Sequence, residues 1–261
     1  MLLTGLVGGV IAGLLGVGGG IVVVPVLDVV LSFIGVDPAI RMHVAVATSQ
    51  ATIIPTSISS SRAHFKRGAV NLSLVKRWGP FLFLGALLGV VIADHVHGRV
   101  LSSVFAAVTL IVALKMILPF DHHTLAQDVP RGAAAPILPG TIGALSSMMG
   151  IGGGTLSVPI MTLLNEPIHR AVGTASLFGL VISVPATVGF IIAGLGNHSL
   201  PAGNLGFVNL IGFALIAPTT MLTAPWGARI AHWLKRRHLS MLFGAFLLIV
   251  AVRMIYKALH P

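Results

Sequence analysis

Two glycine clusters recur in this chain, each at the same distance from a proline. Gly16-Val17-Gly18-Gly19-Gly20 precedes Pro25, and Gly150-Ile151-Gly152-Gly153-Gly154 precedes Pro159. Glycine runs interrupt helices, and a helix that starts at such a break presents unpaired N–H groups and the positive end of its dipole. Two such ends facing each other would form a cage of amides suited to a small oxyanion. The predicted substrate-binding glycines are Gly18, Gly19, Gly20, Gly152, Gly153 and Gly154, and the predicted hinges are Pro25 and Pro159.

Hydroxyl and amide side chains lie in the apolar segment that follows each cluster. Thr48, Ser49 and Gln50 follow the first cluster, and Thr174 and Ser176 follow the second. Such groups donate hydrogen bonds to an oxyanion without the desolvation cost of a fixed charge in the membrane. We predict all five as further substrate-binding residues. Two alternatives stay open, because Ser and Thr often bond back to their own helix and glycines also permit close helix crossings.

The few acidic residues and the histidines argue against cation chemistry. The chain has six Asp and Glu residues, and only Asp28 lies at any depth in a predicted segment, where we expect it to be hydrated near the interface. A cation pump is therefore disfavoured. His232 and His238 are expected in loops and, like the pairs His95–His97 and His122–His123, lack carboxylate or thiol partners at ligand spacing. We predict neither a metal site nor a cofactor.

The composition is that of an integral membrane protein. The 261 residues are 56% apolar and 8% charged, and their mean hydropathy is +1.00. The net charge of +10 comes mostly from loop residues, which set membrane topology and meet anionic headgroups, so we expect a lipid bilayer and no nucleic acid as a partner. The residues leave open whether copies of the chain associate.

The sequence predicts eight apolar segments in two matching halves. The segments are residues 2–34, 39–60, 72–93, 98–118, 136–164, 168–194, 204–226 and 238–258. The matched positions include Asp37-Pro38 with Glu166-Pro167, Thr48 with Thr174, Asn71-Leu72 with Asn204-Leu205, and residues 101–116 with 239–254. We predict a first repeat over 1–119, a linker loop over 120–135 and a second repeat over 136–261.

Basic residues discriminate between two topologies. If the segments with the glycine clusters are re-entrant hairpins of two half-helices, 12 Lys and Arg residues lie on the inside of the membrane and 4 on the outside. If all eight segments cross the membrane, 9 lie inside and 7 lie outside. The positive-inside rule therefore favours hairpins and inverted repeats, although a broken spanning helix stays open. The predicted fold is an all-α polytopic membrane protein with two inverted repeats, each a broken glycine-rich segment plus three transmembrane helices. Breaks at matching places in two halves are typical of secondary transporters.

The glycine and proline pattern resembles a known family. Residues Gly13 to Pro25, their echo from Gly150 to Pro159, and the threonine-containing segment after each resemble the TauE/SafE family of membrane proteins. That family is regarded as exporting sulfite or organosulfonate-related anions. The resemblance implies a secondary transporter that exports a small sulfur-containing anion across the bacterial cytoplasmic membrane, as a multi-pass protein.

Two other functions stay open on sequence alone. The chain is compatible with a passive anion channel, or with a non-transporting membrane subunit that scaffolds a sulfur-metabolising enzyme. The sequence contains no Gly-x-Ser-x-Gly, His-Glu-x-x-His or P-loop motif, so we do not expect an enzyme.

Overall fold

The computed structural model describes residues 2–16, 18–117, 136–197, 199–234 and 236–259. This part is all-α apart from a two-stranded hairpin, β1 (Asn204–Leu205) and β2 (Val208–Asn209). The predicted linker, 120–135, lies outside the described residues, and the division into two repeats stays a prediction. The helices are α1 Leu2–Leu15, α2 Gly20–Phe33, α3 Pro38–Phe65, α4 Leu72–His95, α5 Gly98–Ile117, α6 Ile137–Met149, α7 Gly154–Leu163, α8 Ile168–Gly194, α9 Leu210–Trp233 and α10 Arg236–Leu259.

Both glycine clusters interrupt a helix, as the sequence predicts. The first cluster separates α1 from α2, and the second separates α6 from α7. Gly19, which precedes α2, has φ +80°, and Gly150, which follows α6, has φ +64°. Residues with a Cβ rarely adopt these left-handed conformations. The glycines therefore supply the backbone freedom that each break requires.

The chain reverses direction at the first break. Gly8 of α1 lies beside Val22 and Val23 of α2, and Gly19 lies beside Gly8 and Ala12. Residue numbers thus fall along α1 as they rise along α2, so the two helices run antiparallel. This arrangement is a hairpin rather than a kinked continuous helix.

Two long helices, α3 and α8, cross the centre of the molecule in opposite directions. Ser183 of α8 bonds Gln50 of α3, whereas Gly179 lies against Ser57. The end of α7 joins the start of α8 through residues 164–167, so these two helices also run antiparallel.

The second break also reverses the chain. The Trp78 ring of α4 stacks on the Phe178 ring of α8 at 5.8 Å, and Val90 contacts Gly189, so α4 and α8 run parallel. The helix α6 runs parallel to α4, because Gly85 of α4 lies against Gly140 of α6 and its Gly89 lies against Ala144. Since α7 runs against α8, it also runs against α6.

Small residues let the first half-helix of each break approach a long helix of the other half of the chain. Gly9 and Gly13 of α1 lie against Thr220 and Ala224 of α9, in the same parallel arrangement as α6 on α4. A Cβ on Gly13 would overlap the carbonyl oxygen of Ala224. These glycines therefore serve close backbone packing, which is the alternative that the sequence left open for glycines generally.

The start of α9 differs from the sequence prediction. The segment predicted over 204–226 is a helix over Leu210–Trp233, because residues 204–209 form the hairpin. Asn209 is the N-cap of α9 and accepts from the Gly212 N–H at 2.7 Å, as Asn71 accepts from Leu74 N–H at the start of α4. The structural counterpart of Asn71 is therefore Asn209, and the predicted match with Asn204 is wrong.

The helices have the apolar surface of a membrane protein. Among the described residues, α4, α8 and α9 are each long and apolar enough to cross a membrane. On α4, Leu84, Leu88 and Val91 are 61%, 58% and 56% exposed. Such a stripe of apolar side chains is costly in water but stable against lipid.

Basic side chains gather at one end of the helix bundle. The end of α3, the starts of α4 and α8 and the end of α9 meet there. They carry Arg62, Lys66, Arg67, Lys76, Arg77, Arg170 and Arg229. The opposite end, where α3 and α5 begin, carries Arg41 and Arg99.

Replacing Gly13 by Ala should destabilise the protein, because the new methyl group must push α1 away from α9. Overpacking of this kind costs about 1–3 kcal/mol. Gly79 is the matched control: it is also helical and buried, but a Cβ there meets nothing within 4 Å. We expect Gly79→Ala to leave the unfolding temperature in detergent unchanged or raised. Equal unfolding temperatures for both variants would contradict the close α1–α9 packing.

Candidate functional site

The two glycine breaks meet at the centre of α3 and α8. Gly20, the first residue of α2, lies against the carbonyl oxygen of Gly150 and the Cα of Ile151. Gly18 packs on Ile53 in the middle of α3, and Gly153 packs on Phe178 in the middle of α8. The six predicted substrate-binding glycines are all buried. The structure thus brings them together from two distant parts of the chain.

The two helices that start at the breaks have no side-chain cap. Gly19 precedes α2 and Gly153 precedes α7, and neither can offer a capping side chain. The Gly19 carbonyl accepts from Val22 and Val23 N–H groups, as expected for a first turn. The first N–H groups of a helix have no partner within it, so each start keeps donors and a partial positive charge.

Ser49 and Gln50 hold the end of α6. The Ser49 hydroxyl donates to the Gly150 carbonyl at 2.6 Å. The Gln50 amide donates to the carbonyls of Ser146 and Ser147 at 3.0 and 3.2 Å. The Ser183 hydroxyl donates to Gln50 Oε1 at 2.7 Å. In this conformation both predicted ligands therefore satisfy backbone carbonyls at the second break.

Thr48 and Thr174 contact the starts of other helices rather than the glycine breaks. The Thr48 hydroxyl accepts from the backbone N–H of Asn209 at 2.8 Å, and the Thr174 hydroxyl accepts from that of Asn71 at 2.9 Å. Each threonine thus anchors the N-cap of α9 or α4. Ser176 donates to the Gly173 carbonyl of its own helix. The structure does not bring these three hydroxyls to the glycine breaks.

The site is closed in this conformation. Thr48, Ser49, Gln50 and Thr174 are all 0% exposed. A groove of about 340 Å³ lies elsewhere, between α4 and α6, and is lined by apolar residues such as Phe81, Leu84 and Ile137. The hinge predictions, Pro25 and Pro159, both lie inside helices, α2 and α7, one turn beyond their start.

Two expectations about ionisable residues are wrong. Asp28 is not hydrated, since it is 3% exposed within α2. His232 and His238 are not in loops. His238 lies in the first turn of α10, and His232 lies in the last turn of α9, where its ring is 5.5 Å from that of His64 and 5.4 Å from that of His169. Sequence reasoning missed this cluster. A polar face on α3, formed by Ser57, Ser60 and His64 at spacings of three and four, was the pattern that pointed to it.

Comparison with known proteins places the chain in a family. The family described as sulfite exporter TauE/SafE matches residues 1–254. The chain belongs to the TauE/SafE family. No solved structure matches the chain.

Several TauE/SafE-like relatives share most of the chain. A probable membrane transporter protein of Haemophilus influenzae is 31% identical over 98% of this chain and 97% of its own length. Probable membrane transporter proteins of Methanocaldococcus jannaschii and Bacillus subtilis are 23% and 24% identical over 98% and 99% of this chain and 94% and 97% of theirs. Family and relatives indicate a membrane transporter and point away from an enzyme.

The contact between Gln50 and Ser183 should be measurable as a coupling energy. Gln50→Ala leaves the Ser183 hydroxyl without its acceptor and leaves two carbonyls with only their 3.3 Å backbone bonds, so we expect it to lower the free energy of unfolding by about 1–3 kcal/mol. Ser183→Ala alone should cost less. In a double-mutant cycle followed by unfolding in detergent, the pair should show a coupling of about 1 kcal/mol. Strict additivity would mean that the hydrogen bond does not form.

Proposed function

We propose that this protein is a secondary transporter that exports a small sulfur-containing anion, such as sulfite or an organosulfonate, across the cytoplasmic membrane. The observation that carries the proposal is that two helices begin without a side-chain cap in the buried centre of the molecule, where the first glycine break lies against the second. Gly20 of α2 and Gly154 of α7 begin these helices. Amides at such starts suit the oxygen atoms of an oxyanion.

The charge distribution supports a neutral anion site. Among the described residues, the only buried side chain of the Asp, Glu, Lys and Arg type is Asp28. A site of neutral amide and hydroxyl donors binds an anion without a fixed positive charge that would hold it too tightly for release. The Gly150 carbonyl, which lies against Gly20, presents negative charge to the start of α2 in this closed state. An arriving oxyanion would take over that role.

Helix directions support inverted repeats. The counterparts α3 and α8 run antiparallel. Because α9 runs parallel to α3 and α4 runs parallel to α8, the counterparts α4 and α9 are also antiparallel. Each repeat also places its first half-helix on the other repeat, α1 on α9 and α6 on α4. Rocking one repeat against the other would open the central site first to one face and then to the other.

The basic end of the bundle marks the cytoplasmic face. Arg62, Lys66 and Arg67 at the end of α3 lie at this end, with Arg170 of α8 and Arg229 of α9. The positive-inside rule places such a cluster in the cytoplasm. An inside-negative potential then drives anion export by about 2.3 kcal/mol per charge per 100 mV.

Ser49 and Gln50 act as a latch in this mechanism. Their donors hold the end of α6 in the closed state, and Thr48 and Thr174 hold the starts of α9 and α4. When the repeats move, Ser49 and Gln50 exchange these carbonyls for the oxygens of the anion. Pro25 and Pro159 provide bending points, because each removes one hydrogen bond from its helix.

Purified protein in liposomes should move sulfite, thiosulfate or sulfoacetate in a saturable way, with counterflow. We expect slower movement of sulfate. Flux that rises linearly with concentration and shows no counterflow would instead indicate a channel. A complete lack of flux for all four anions would leave a scaffold role.

Gly19→Ala should abolish most of this flux. Gly19 has φ +80°, and a Cβ there would lie 2.9 Å from the Gly8 carbonyl oxygen, so the first break must shift. Gly35 is the matched control, with φ +77° but nothing within 4 Å of its Cβ position. Both variants carry the same backbone strain of about 1–3 kcal/mol.

We expect about a tenfold loss of flux for Gly19→Ala and little change for Gly35→Ala, which corresponds to about 1.4 kcal/mol at the site. Insertion is checked by the yield of monodisperse protein in detergent. If Gly19→Ala inserts and transports like Gly35→Ala, the glycine breaks do not form the substrate site.

A further inference from the structure

Three buried polar residues on one face of α3 have atoms without a hydrogen-bond partner. Ser57 Oγ, Ser60 Oγ and His64 Nδ1 contact no donor or acceptor at bonding distance among the described residues. Each of the three residues is 1% exposed. They occur at spacings of three and four, which places them on one side of the helix. We call them the α3 row.

The unpartnered hydroxyls of the α3 row differ from other hydroxyls on the same helix. Neighbouring hydroxyls on the same helix are satisfied: Thr52 donates to the Ser49 carbonyl and Ser61 to the Ile58 carbonyl. A buried polar atom without a partner costs about 1–3 kcal/mol. Three unpartnered polar atoms on one helix face therefore carry a high energetic cost, unless a polar ligand that is not bound in this conformation contacts them.

The α3 row leads from the glycine breaks to the basic end. Ser57 lies against Gly179, one turn beyond Ile53, which contacts Gly18 and Gly20. At the other end, His64 occupies the last turn of α3. A helix rises about 1.5 Å per residue, so the row covers about 10 Å along the helix axis.

Three imidazole rings lie where the α3 row ends. The His232 ring is 5.5 Å from that of His64 and 5.4 Å from that of His169, and Nε2 of His232 is also buried without a partner. Arg67 acts electrostatically on His64 and His232, and no acidic group among the described residues does so. The surroundings thus favour a negatively charged ligand.

The hydrogen bond of His64 determines which of its ring nitrogens can accept a hydrogen bond from a ligand. Its Nε2 donates to the Gly13 carbonyl at 3.0 Å, which fixes the end of α1. In the neutral ring Nδ1 is then an acceptor, suited to the O–H group of a singly protonated oxyanion. No group of three or more His, Cys, Asp or Glu residues in the described part of the chain is arranged to hold a metal ion, so the cluster is not explained as a metal site.

We propose that the α3 row is the inner half of the anion path, and that His64, His169, His232 and Arg67 form its entry site for a small oxyanion. The inference rests on the proposed function, because it assumes that the glycine breaks receive the anion. It adds a second binding site, at the basic end of the bundle. The anion passes from the histidines to the serine hydroxyls and then to the amides of the breaks.

The first test compares serine variants on the same helix. Ser57→Ala and Ser60→Ala should each reduce flux about three- to tenfold, which is the effect of one lost hydrogen bond to the anion. Their unfolding temperatures should stay the same or rise, since each variant removes an unpartnered buried hydroxyl. Ser61→Ala, whose hydroxyl bonds its own helix, should keep wild-type flux. Wild-type flux in both Ser57→Ala and Ser60→Ala would overturn the proposal.

The second test does not depend on transport. The chain contains no cysteine, so Ser57→Cys, Ser60→Cys and the control Ser61→Cys each introduce a single thiol. Inside-out membrane vesicles are treated with the anionic, membrane-impermeant reagent sulfonatoethyl methanethiosulfonate. We expect labelling at positions 57 and 60 but not 61, and sulfoacetate should slow it.

The two proposals can fail separately. Labelling with sulfoacetate protection but without flux in liposomes would support the entry path and reject export as proposed. Saturable flux without labelling at positions 57 and 60, or with equal labelling at position 61, would overturn the α3 row as the path and leave the export proposal standing.

Discussion

The structure depends on satisfying broken backbone in an apolar interior. Each glycine break frees N–H and C=O groups, and lipid offers them no partners. The molecule meets this constraint by placing the two breaks against each other and against the polar centre of α3. Ser49 and Gln50 donate to carbonyls at the end of α6, and His64 donates to a carbonyl near the end of α1. The carbonyl ends of the broken helices are thus paired with side chains, whereas the amide ends lack a capping side chain.

This asymmetry agrees with the proposed function. A site that binds and releases an anion needs donors that are not permanently occupied. Capping residues such as Asp or Ser would have filled the starts of α2 and α7, and glycine at Gly19 and Gly153 leaves them open. The close approach of α1 to α9 and of α6 to α4 provides the rigid support, because small residues bring those backbones into contact. The proposed anion site thus consists of the uncapped helix starts in a structure whose other polar groups are mostly paired.

Much of the fold could be predicted from sequence, because broken glycine segments and apolar length are local properties. The breaks, the half-helices and the all-α class follow from such patterns. The start of α9 could not be predicted, because the apolar residues of 204–209 continue the segment although the chain forms a hairpin there. The partners of Thr48 and Gln50 were also beyond prediction, since both bonds join residues about 100 or more positions apart. Periodicity identifies a helix face, but not which helix will cover it.

The packing of α1 on α9, which joins distant parts of the chain, has a consequence for biosynthesis. The half-helix α1 leaves the ribosome before α9, yet the surface that receives its glycines begins at Leu210. At ordinary translation speeds of 5–20 residues per second, this surface emerges about 10–40 s later. During that interval a short, glycine-rich segment must be retained at the insertion machinery or in a provisional location. Its docking is a late event of assembly, and a nascent chain arrested before α9 would expose a segment that quality-control proteases can recognise.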